Sequence, residues 1–244
     1  MRQEECRILA CGVLASGHCL IEVDATPLGQ PARAGQFVMV RTADGLLDPL
    51  RHPVFFSRGG HHAQLLVPLG EPWQTGLSML APEETLNALG PLGQPWEPRP
   101  GASHLLVLAL SEPVAPALAA AHWAQRQGTM VSLVLGHKRW LPLAELLPAA
   151  VECTVADPND WSALLEPLRW ADQVLAVLEQ PAIPRLADTV TTARLRLVPG
   201  FADVLLKADF LCGAGICGAC EVEGVRHRHR VCSEGPLFDL VRLT

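Results

Sequence analysis

Four cysteines near the C-terminus are the residues of this sequence best suited to chemistry. They are Cys212, Cys217, Cys220 and Cys232, in a C-x4-C-x2-C-x11-C spacing. The first three repeat the plant-type spacing by which thiolates of one loop hold a [2Fe-2S] cluster. Glycines among these cysteines allow the loop to curl, because glycine enters left-handed conformations freely and lets backbone amides approach sulfur. The pattern therefore predicts that the four thiolates bind a [2Fe-2S] cluster.

Three other interpretations of these cysteines fit the pattern less well. A structural zinc site usually has two C-x2-C pairs, and here only Cys217 and Cys220 have that spacing. A disulfide framework is typical of small secreted domains, and this chain has 244 residues. Buried apolar cysteines would not need the glycines beside them. The other cysteines are predicted to be reduced core residues; they are Cys6, Cys11, Cys19 and Cys153.

The segment between the third and fourth cysteines is predicted to be a hairpin. Glu221–Arg226 has Gly224 at the position of the turn, which would return the chain to the cluster. The run Arg226–Arg230 then alternates arginine with histidine. We interpret it mainly as a solvated hairpin edge, where charge discourages strand pairing. The alternative is that its positive charge favours reduction of the cluster or docks an acidic partner.

Two pairs of histidines are weaker candidates for metal binding. His61 and His62 are adjacent, while His227 and His229 are separated by one arginine. The sequence places no carboxylate or cysteine partner beside them, so we interpret them as loop residues. No Ser-His-Asp or paired-carboxylate arrangement can be assembled from the sequence. The chain is therefore not expected to make or break substrate bonds itself.

Composition and charge exclude several classes of protein. With 49% hydrophobic and 18% charged residues, a chain of 244 residues can bury a large core and is expected to hold more than one domain. The net charge of −6 argues against nucleic acid or an anionic membrane as the main partner. The sequence shows neither a signal-peptide pattern nor an apolar run of membrane-spanning length, so a cytoplasmic location is expected.

Apolar segments change their rhythm along the chain. Up to about Pro98 they are short and broken by glycine and proline, which predicts an antiparallel barrel or sandwich. These segments are Arg7–Leu14, His18–Val23, Gln36–Arg41, Gln64–Val67 and Thr85–Leu89. From Ser103 buried strands alternate with helices, which predicts a parallel α/β sheet of the Rossmann type. The strand-like runs are His104–Leu110, Thr129–Leu135, Val151–Ala156, Gln173–Leu178 and Arg194–Val198, and the helical ones are Val114–Gln127, Leu141–Leu147, Asn159–Leu168 and Ile183–Val190.

Two breaker-rich stretches suggest where the domains meet. Trp96–Gly101 contains two prolines and a glycine, and Pro199-Gly200 precedes the cysteine segment. We therefore predict domains at residues 1–98, 99–199 and 200–244.

The order of a barrel, a nucleotide-type sheet and a four-cysteine segment resembles the electron-transfer subunit of class 1B dihydroorotate dehydrogenase. Cys212–Cys220 and Arg230–Phe238 are similar to that family's cluster signature and its C-x-D-G-P-x-F tail. Leu89–Gly93 is similar to the G-P-L-G segment that closes its flavin domain. The arrangement and length fit over nearly the whole chain. Related subunits of hydrogenases and of NADH-dependent ferredoxin oxidoreductases share the cluster motif.

The resemblance implies a fold, an assembly and a set of cofactor contacts. The fold is an antiparallel flavin-domain-like β-barrel, a Rossmann-like α/β domain and a small C-terminal [2Fe-2S] subdomain. The assembly is a heterotetramer with two FMN-containing catalytic subunits, in which dihydroorotate reduces FMN, the cluster relays single electrons, and FAD in the barrel passes hydride to NAD. The FAD contacts would fall on Arg51, His52, Pro53, Thr75, Gly90, Pro91, Leu92 and Gly93.

Two flavin segments depart from the family pattern. Where R-P-x-S is expected on a barrel strand, the sequence His52–Phe55 has histidine for arginine and phenylalanine for serine. Arg51 could bind the pyrophosphate, but on a strand its side chain would start on the opposite face. The second segment, usually G-x-G-T, is Trp73-Gln74-Thr75. Since Trp73 and Phe55 are predicted to fill the ring pocket as core residues, FAD binding is doubtful.

The nicotinamide segments depart further. After the first strand of the α/β domain, Ser111–Pro116 contains no glycine, although a glycine-rich turn normally lets amides approach the pyrophosphate. Glu112 would place a carboxylate beside phosphates, and Pro113 removes a donor. The family's later C-G-P segment is represented only by Leu178–Pro181. We therefore do not expect NAD binding. The alternative is that the alignment with the family is wrong here and that the chain has a divergent site that works.

Together these features predict an electron-transfer subunit of a dihydroorotate dehydrogenase complex in pyrimidine biosynthesis. It would take electrons from FMN of the catalytic partner through the cluster to an acceptor other than NAD, such as a ferredoxin-like one-electron carrier. Two alternatives stay open. One is an electron-transfer subunit of a hydrogenase or a ferredoxin:NAD(P) oxidoreductase. The other is a structural subunit whose cluster only stabilises the C-terminal segment.

Overall fold

The first six strands of the chain form a closed antiparallel barrel. The computed structural model describes residues 1–41, 50–157 and 159–244. The barrel elements are β1 (Arg2–Val13), β2 (His18–Asp24), β3 (Phe37–Arg41), β4 (His52–Arg58), β5 (His62–Pro68), α1 (Pro72–Ser78) and β6 (Thr85–Leu92). The strands close in the order β1-β2-β5-β4-β3-β6. Closure removes the unpaired edges, and side chains such as Ile8, Ile21 and Phe56 fill the interior.

A six-stranded sheet with helices follows the barrel. Its first elements are β7 (His104–Ala109), α2 (Ala115–Arg126), β8 (Met130–Leu135), β9 (Glu152–Val155), α3 (Leu165–Trp170), β10 (Gln173–Val177), α4 (Ile183–Arg194) and β11 (Ala202–Leu205). Next come β12 (Glu221–Glu223) and β13 (Arg228–Arg230), which form a separate two-stranded sheet, and then α5 (Val231–Glu234) and β14 (Leu237–Asp239), the last strand of the six-stranded sheet. The sheet order is β14-β11-β10-β7-β8-β9, parallel except for the β11–β14 pair. In the described part of the chain no helix is both long and apolar enough to cross a membrane.

The predicted architecture of a barrel followed by an α/β sheet is confirmed, and two of its elements are wrong. Arg194–Val198 is not a strand, because α4 continues to Arg194, Leu195 takes a φ of 66°, and β11 begins only at Ala202. The predicted helix Leu141–Leu147 belongs to a 3-10 helix, Lys138–Leu146, that contains Pro142. Proline removes a backbone donor and clashes with the preceding turn of an α-helix, which explains the difference.

Two strands of the sheet lie in the C-terminal segment. β11 pairs in parallel with β10, and β14 then pairs with β11, placing Asp203 opposite Asp239. Both strands fall after residue 199 and complete a sheet whose other strands precede it. The domain boundaries at 98 and 199 stay predictions.

Hydrogen bonds fix the cysteine segment against both the barrel and the sheet. The backbone N–H of Gln94 donates to the carbonyl oxygen of Gly235 at 2.6 Å, and its side-chain amide donates to the carbonyl oxygen of Ser233 at 2.8 Å. From the sheet side, the N–H of Leu206 donates to the carbonyl oxygen of Pro236 at 2.9 Å. The residues just after Cys232 are therefore hydrogen-bonded to residues that closely follow β6 and β11.

Candidate metal centre

The four predicted cluster ligands come from one loop and one short helix that face each other. Three lie in the loop between β11 and β12, and Cys232 lies in α5. The Sγ atoms of Cys220 and Cys232 are 3.2 Å apart, and the Cys217 side chain is among the groups that lower the pKa of the Cys212 thiol. Cys220 and Cys232 are buried, Cys212 is half-buried and Cys217 is exposed. The fold thus brings Cys220 into contact with Cys232 and leaves Cys217 open to solvent.

Backbone amides are directed at three of the sulfurs. The N–H of Gly215 donates to Sγ of Cys232 at 3.1 Å. The N–H of Ala214 donates to Sγ of Cys212 at 3.4 Å, and that of Cys232 donates to Sγ of Cys220 at 3.5 Å. Such donors stabilise negative charge on sulfur, as they do around bound iron–sulfur clusters.

The pKa values of the loop thiol Cys212 and the buried thiol Cys232 shift in opposite directions. Burial by itself raises the pKa of the Cys212 thiol, but hydrogen bonds from the amides of Ala214, Cys217 and Ile216 outweigh it and bring the pKa down to about 6. Burial and the contact with Cys220 raise the pKa of Cys232 to about 12. A metal would replace the proton on Cys232, since thiols bind metals as thiolates.

Gly213 occupies a position that accepts no side chain. Its φ is +66°, and a Cβ there would lie 2.7 Å from both Cγ of Met39 and Cδ1 of Leu92. Those residues belong to β3 and β6, so the cysteine loop rests directly on the end of the barrel. The left-handed backbone turns the chain back towards Cys217 without strain only because the residue is glycine.

The convergence of thiols, inward amides and left-handed glycines fits a [2Fe-2S] cluster. The assignment of Cys212, Cys217, Cys220 and Cys232 as the ligands stays a prediction, which iron analysis of variants can test.

Arg51, the cation considered for the FAD pyrophosphate, is hydrogen-bonded to groups of the barrel. Its guanidinium donates to the carbonyl oxygen of Met39 at 3.1 Å and to Oδ1 of Asn87 at 2.5 Å. These partners belong to β3 and β6. Among the described residues, Arg51 does not line the cleft between the barrel and the sheet. This cleft is where a flavin would be expected in a related fold.

That cleft has a volume of about 210 Å³ and mostly apolar walls. The imidazole of His52 stacks on Trp73, with ring centroids 4.2 Å apart and planes 6° apart. Phe55 packs within 5.5 Å of Phe37, whose ring in turn stacks on another phenylalanine. Of the described residues that line the cleft, Lys207 alone is charged, and its ammonium contacts Glu179 at 2.6 Å. This lining fits an FAD pyrophosphate poorly.

The remaining predicted FAD positions have other surroundings. Pro53 lines the cleft, but Thr75 is exposed and its hydroxyl donates to the carbonyl oxygen of Glu71 at 3.4 Å. Gly93, at the end of the Gly90-Pro91-Leu92-Gly93 segment, would place a Cβ 3.0 Å from the carbonyl oxygen of Gly235. This segment therefore contacts the cysteine segment. FAD binding at these positions stays a prediction, and a doubtful one.

Glu112 occupies the turn where a nucleotide phosphate would approach α2. Its Oε2 accepts a hydrogen bond from the N–H of Val114 at 3.1 Å, and its Oε1 lies 2.9 Å from Nε2 of His18. His18 is on β2 and is buried, so the carboxylate joins the barrel to the sheet. A fixed carboxylate at a helix N-terminus repels phosphate and takes up its donors. The geometry supports the expectation that NAD does not bind here.

The sequence reasoning missed one side chain near the histidines. Glu234, at the end of α5, places its Oε2 3.1 Å from Nδ1 of His229. The interpretation that His227 and His229 have no carboxylate nearby is therefore wrong. The only signal in the sequence was a glutamate two residues after the fourth cysteine, which by itself indicates no contact.

The C-terminal segment is similar to a known domain. Residues 208–244 match the sequence model of the iron–sulfur cluster binding domain of dihydroorotate dehydrogenase B. All four predicted cluster ligands lie within the matched residues. No curated protein sequence matches the chain.

Solved structures share the fold of the whole chain. An NADH-dependent reduced ferredoxin–NADP oxidoreductase, described in work on flavin-based electron bifurcation, has a TM-score of 0.78 at 20% identity, covering 98% of this chain and 89% of its own. Phthalate dioxygenase reductase has a TM-score of 0.61 at 12% identity, covering 97% of both chains. Ferredoxin–NADP+ reductase from Plasmodium falciparum has a TM-score of 0.61 at 6% identity, covering 84% of this chain and 95% of its own. The chain thus shares the overall fold of these reductases.

Proposed function

We propose that this chain is the electron-transfer subunit of a dihydroorotate dehydrogenase complex. Cys212, Cys217, Cys220 and Cys232 would hold a [2Fe-2S] cluster, which supplies one-electron redox chemistry when bound. The observation that carries the proposal is the convergence of the four thiols under inward amides, within residues that match the dihydroorotate dehydrogenase B iron–sulfur domain.

The surface beside Cys217 suits the docking of a redox partner. Cys217 is exposed, the adjacent Ile216 is 83% exposed, and Leu211, next to Cys212, is 54% exposed, which is unusual for large apolar side chains. Burying such residues is favourable, and an exposed ligand allows close approach to a partner's redox centre. We take this partner to be an FMN-containing catalytic subunit, in a heterotetramer with two copies of each chain.

The onward acceptor is proposed to be a one-electron carrier other than NAD. Glu112 fills the phosphate position at α2, and Arg51 is bound to β3 and β6. Neither arrangement favours a dinucleotide. A protein carrier would need only a surface near the cysteines, which the chain offers.

A second candidate function is an electron-transfer subunit of a ferredoxin oxidoreductase. The favouring observation is the fold similarity to an NADH-dependent reduced ferredoxin–NADP oxidoreductase over 98% of this chain. Affinity purification of the native complex separates the two candidates. Recovery of an FMN-containing dihydroorotate dehydrogenase supports the first, and recovery of a larger iron–sulfur or ferredoxin-dependent enzyme supports the second.

The proposed relay is tested with Cys217→Ser in the native complex. Because Cys217 is exposed, the variant chain should fold and assemble, while electron flow from dihydroorotate to an artificial one-electron acceptor through this chain falls to background. Electron paramagnetic resonance after anaerobic reduction should lose the wild-type cluster signal. Cys153→Ser, a half-buried cysteine outside the site, is the matched control and should retain both. Failed assembly of the Cys217→Ser complex would support a structural role instead.

A further inference from the structure

The alternating run of arginine and histidine sorts its side chains onto two faces. In the β12–β13 hairpin Glu221 pairs with Arg230 and Glu223 with Arg228. His229 lies between these two positions, so its side chain points to the opposite face. The ring centroids of His227 and His229 are 4.2 Å apart, which places both imidazoles together.

A carboxylate completes the histidine face. The ligand atoms of His227, His229 and Glu234 all lie within 4.8 Å of one another. Nδ1 of His229 is 3.1 Å from Oε2 of Glu234, while the other carboxylate oxygen accepts a hydrogen bond from the N–H of Arg230 at 3.0 Å. One oxygen is therefore held by the backbone and the other faces the imidazoles.

The environment fixes the direction in which His229 presents its nitrogen. The residue is 2% exposed, and its ring packs against Phe238 at a centroid distance of 5.0 Å. Its Nε2 edge lies against Gly224, where a Cβ would come within 2.8 Å of that nitrogen. Nδ1 is thus the ring atom that faces Glu234, and little conformational entropy remains to be lost on binding a ligand.

Two of the three arginines of the run are paired with glutamates. Arg228 contacts Glu223 at 3.4 Å, and Arg230 contacts Glu221 at 3.2 Å. Both pairs are on the face away from the histidines, and their charges offset each other. A cation approaching His227 and Glu234, which are exposed, therefore meets two imidazoles and a carboxylate.

From this geometry we propose that His227, His229 and Glu234 form a second metal site, for a divalent cation of the zinc type. Two imidazole nitrogens and one carboxylate oxygen suit borderline metals such as zinc and not magnesium or calcium, which prefer oxygen ligands. Three protein ligands leave a coordination position for water on the exposed side. The site does not depend on the proposed electron-transfer function.

The proposal is tested by titrating zinc into full-length, iron-loaded protein by isothermal calorimetry, with iron counted before and after. We expect one zinc per chain without loss of iron. His227→Gln removes an exposed ligand and should not disturb the fold. Loss of an outer-shell partner alone typically weakens metal binding by about 10–100-fold, so loss of this ligand should raise the Kd at least about tenfold.

Two further measurements keep the test decisive. His62→Gln alters an exposed histidine of the barrel and should leave the zinc affinity unchanged. Zinc-edge X-ray absorption of the wild-type complex should show nitrogen and oxygen ligands only. Equal affinity in wild type and His227→Gln, sulfur ligation, or zinc uptake in exchange for iron would each overturn the proposal. A chain that cannot load iron would refute the cluster and leave the histidine site to be judged by the same variants.

Discussion

At the scale of single residues, backbone groups rather than charged side chains shape the cysteine site. Amides of Ala214 and Gly215 donate to sulfur, and two of the nearby arginines are paired with glutamates across the hairpin. Four of the five residues of the run Arg226–Arg230 are exposed, which fits the interpretation as a solvated hairpin edge, but that interpretation is wrong for buried His229. Negative charge on sulfur is therefore stabilised mainly by groups that mutation of side chains cannot remove, which makes the glycine positions the sensitive ones.

Gly213→Ala should sharply reduce cluster content. The new Cβ would sit 2.7 Å from Met39 and Leu92, in a left-handed conformation that costs about 1–2 kcal/mol for a residue other than glycine. Because both effects act on the loop that carries three of the cysteines, we expect iron and labile sulfide per chain to fall to about half or less.

Gly101→Ala is the control for that substitution. Gly101 has a φ of +82°, so alanine there would have a similar unfavourable backbone conformation. A Cβ at this position would have no atom within 4 Å. Its iron content should equal that of the wild type. Equal iron in the two variants would show that the barrel contact at Gly213 does not shape the site.

At the scale of elements, the turn between β7 and α2 joins two parts of the fold. One carboxylate oxygen of Glu112 accepts a hydrogen bond from the N–H of Val114, and the other contacts buried His18 of β2. In a related fold such a turn is where a phosphate would be bound. Here an internal carboxylate stands in that position and connects the sheet to the barrel.

Glu112→Ala should destabilise the protein by about 1–2 kcal/mol, because it leaves the buried imidazole of His18 without this partner and removes the acceptor for Val114. The free energy of unfolding from urea titration measures the loss. Glu166→Ala is the control, since Glu166 pairs with Arg169 while both side chains are more than half exposed. Such pairs contribute less than about 1 kcal/mol. A loss no larger than that of the control would contradict the structural role of the Glu112 contact.

At the scale of the whole molecule, the chain shares the overall fold of ferredoxin reductases, and the groups that line its cleft suit a dinucleotide poorly. The cleft between barrel and sheet persists, but its walls are mostly apolar and Phe55 packs on Phe37 beside it. The cysteine segment is fixed to both parts by Gln94 and Leu206. These contacts hold the cysteine segment in place, whether or not the cleft holds a cofactor.

Flavin extraction from the native complex should yield FMN in proportion to the catalytic partner and only substoichiometric FAD relative to iron. The physical reason is that Lys207, already paired with Glu179, is the charged group among the described residues of the cleft. Chromatography of released flavins against an iron count gives the ratio. One FAD per cluster, together with rapid NADH oxidation, would contradict this prediction.

The sequence by itself determined the features that depend on spacing and on local rhythm. The cysteine and glycine pattern indicated the cluster, and alternating short strands and buried runs predicted the barrel and the parallel sheet, because both signals reside in neighbouring residues. It also showed that Ser111–Pro116 lacks glycine. Local patterns failed where a proline or a left-handed residue, such as Pro142 or Leu195, changed the course of the chain.

Only the tertiary structure decided the contacts between residues far apart in sequence. It placed β11 and β14 in the main sheet, bound Arg51 to β3 and β6, joined Glu112 to His18 across 94 positions, and brought Glu234 to His229 of β13. Each of these depends on strand register and on how the barrel packs against the sheet. Such packing is a property of the whole chain, so no short stretch of sequence carries it.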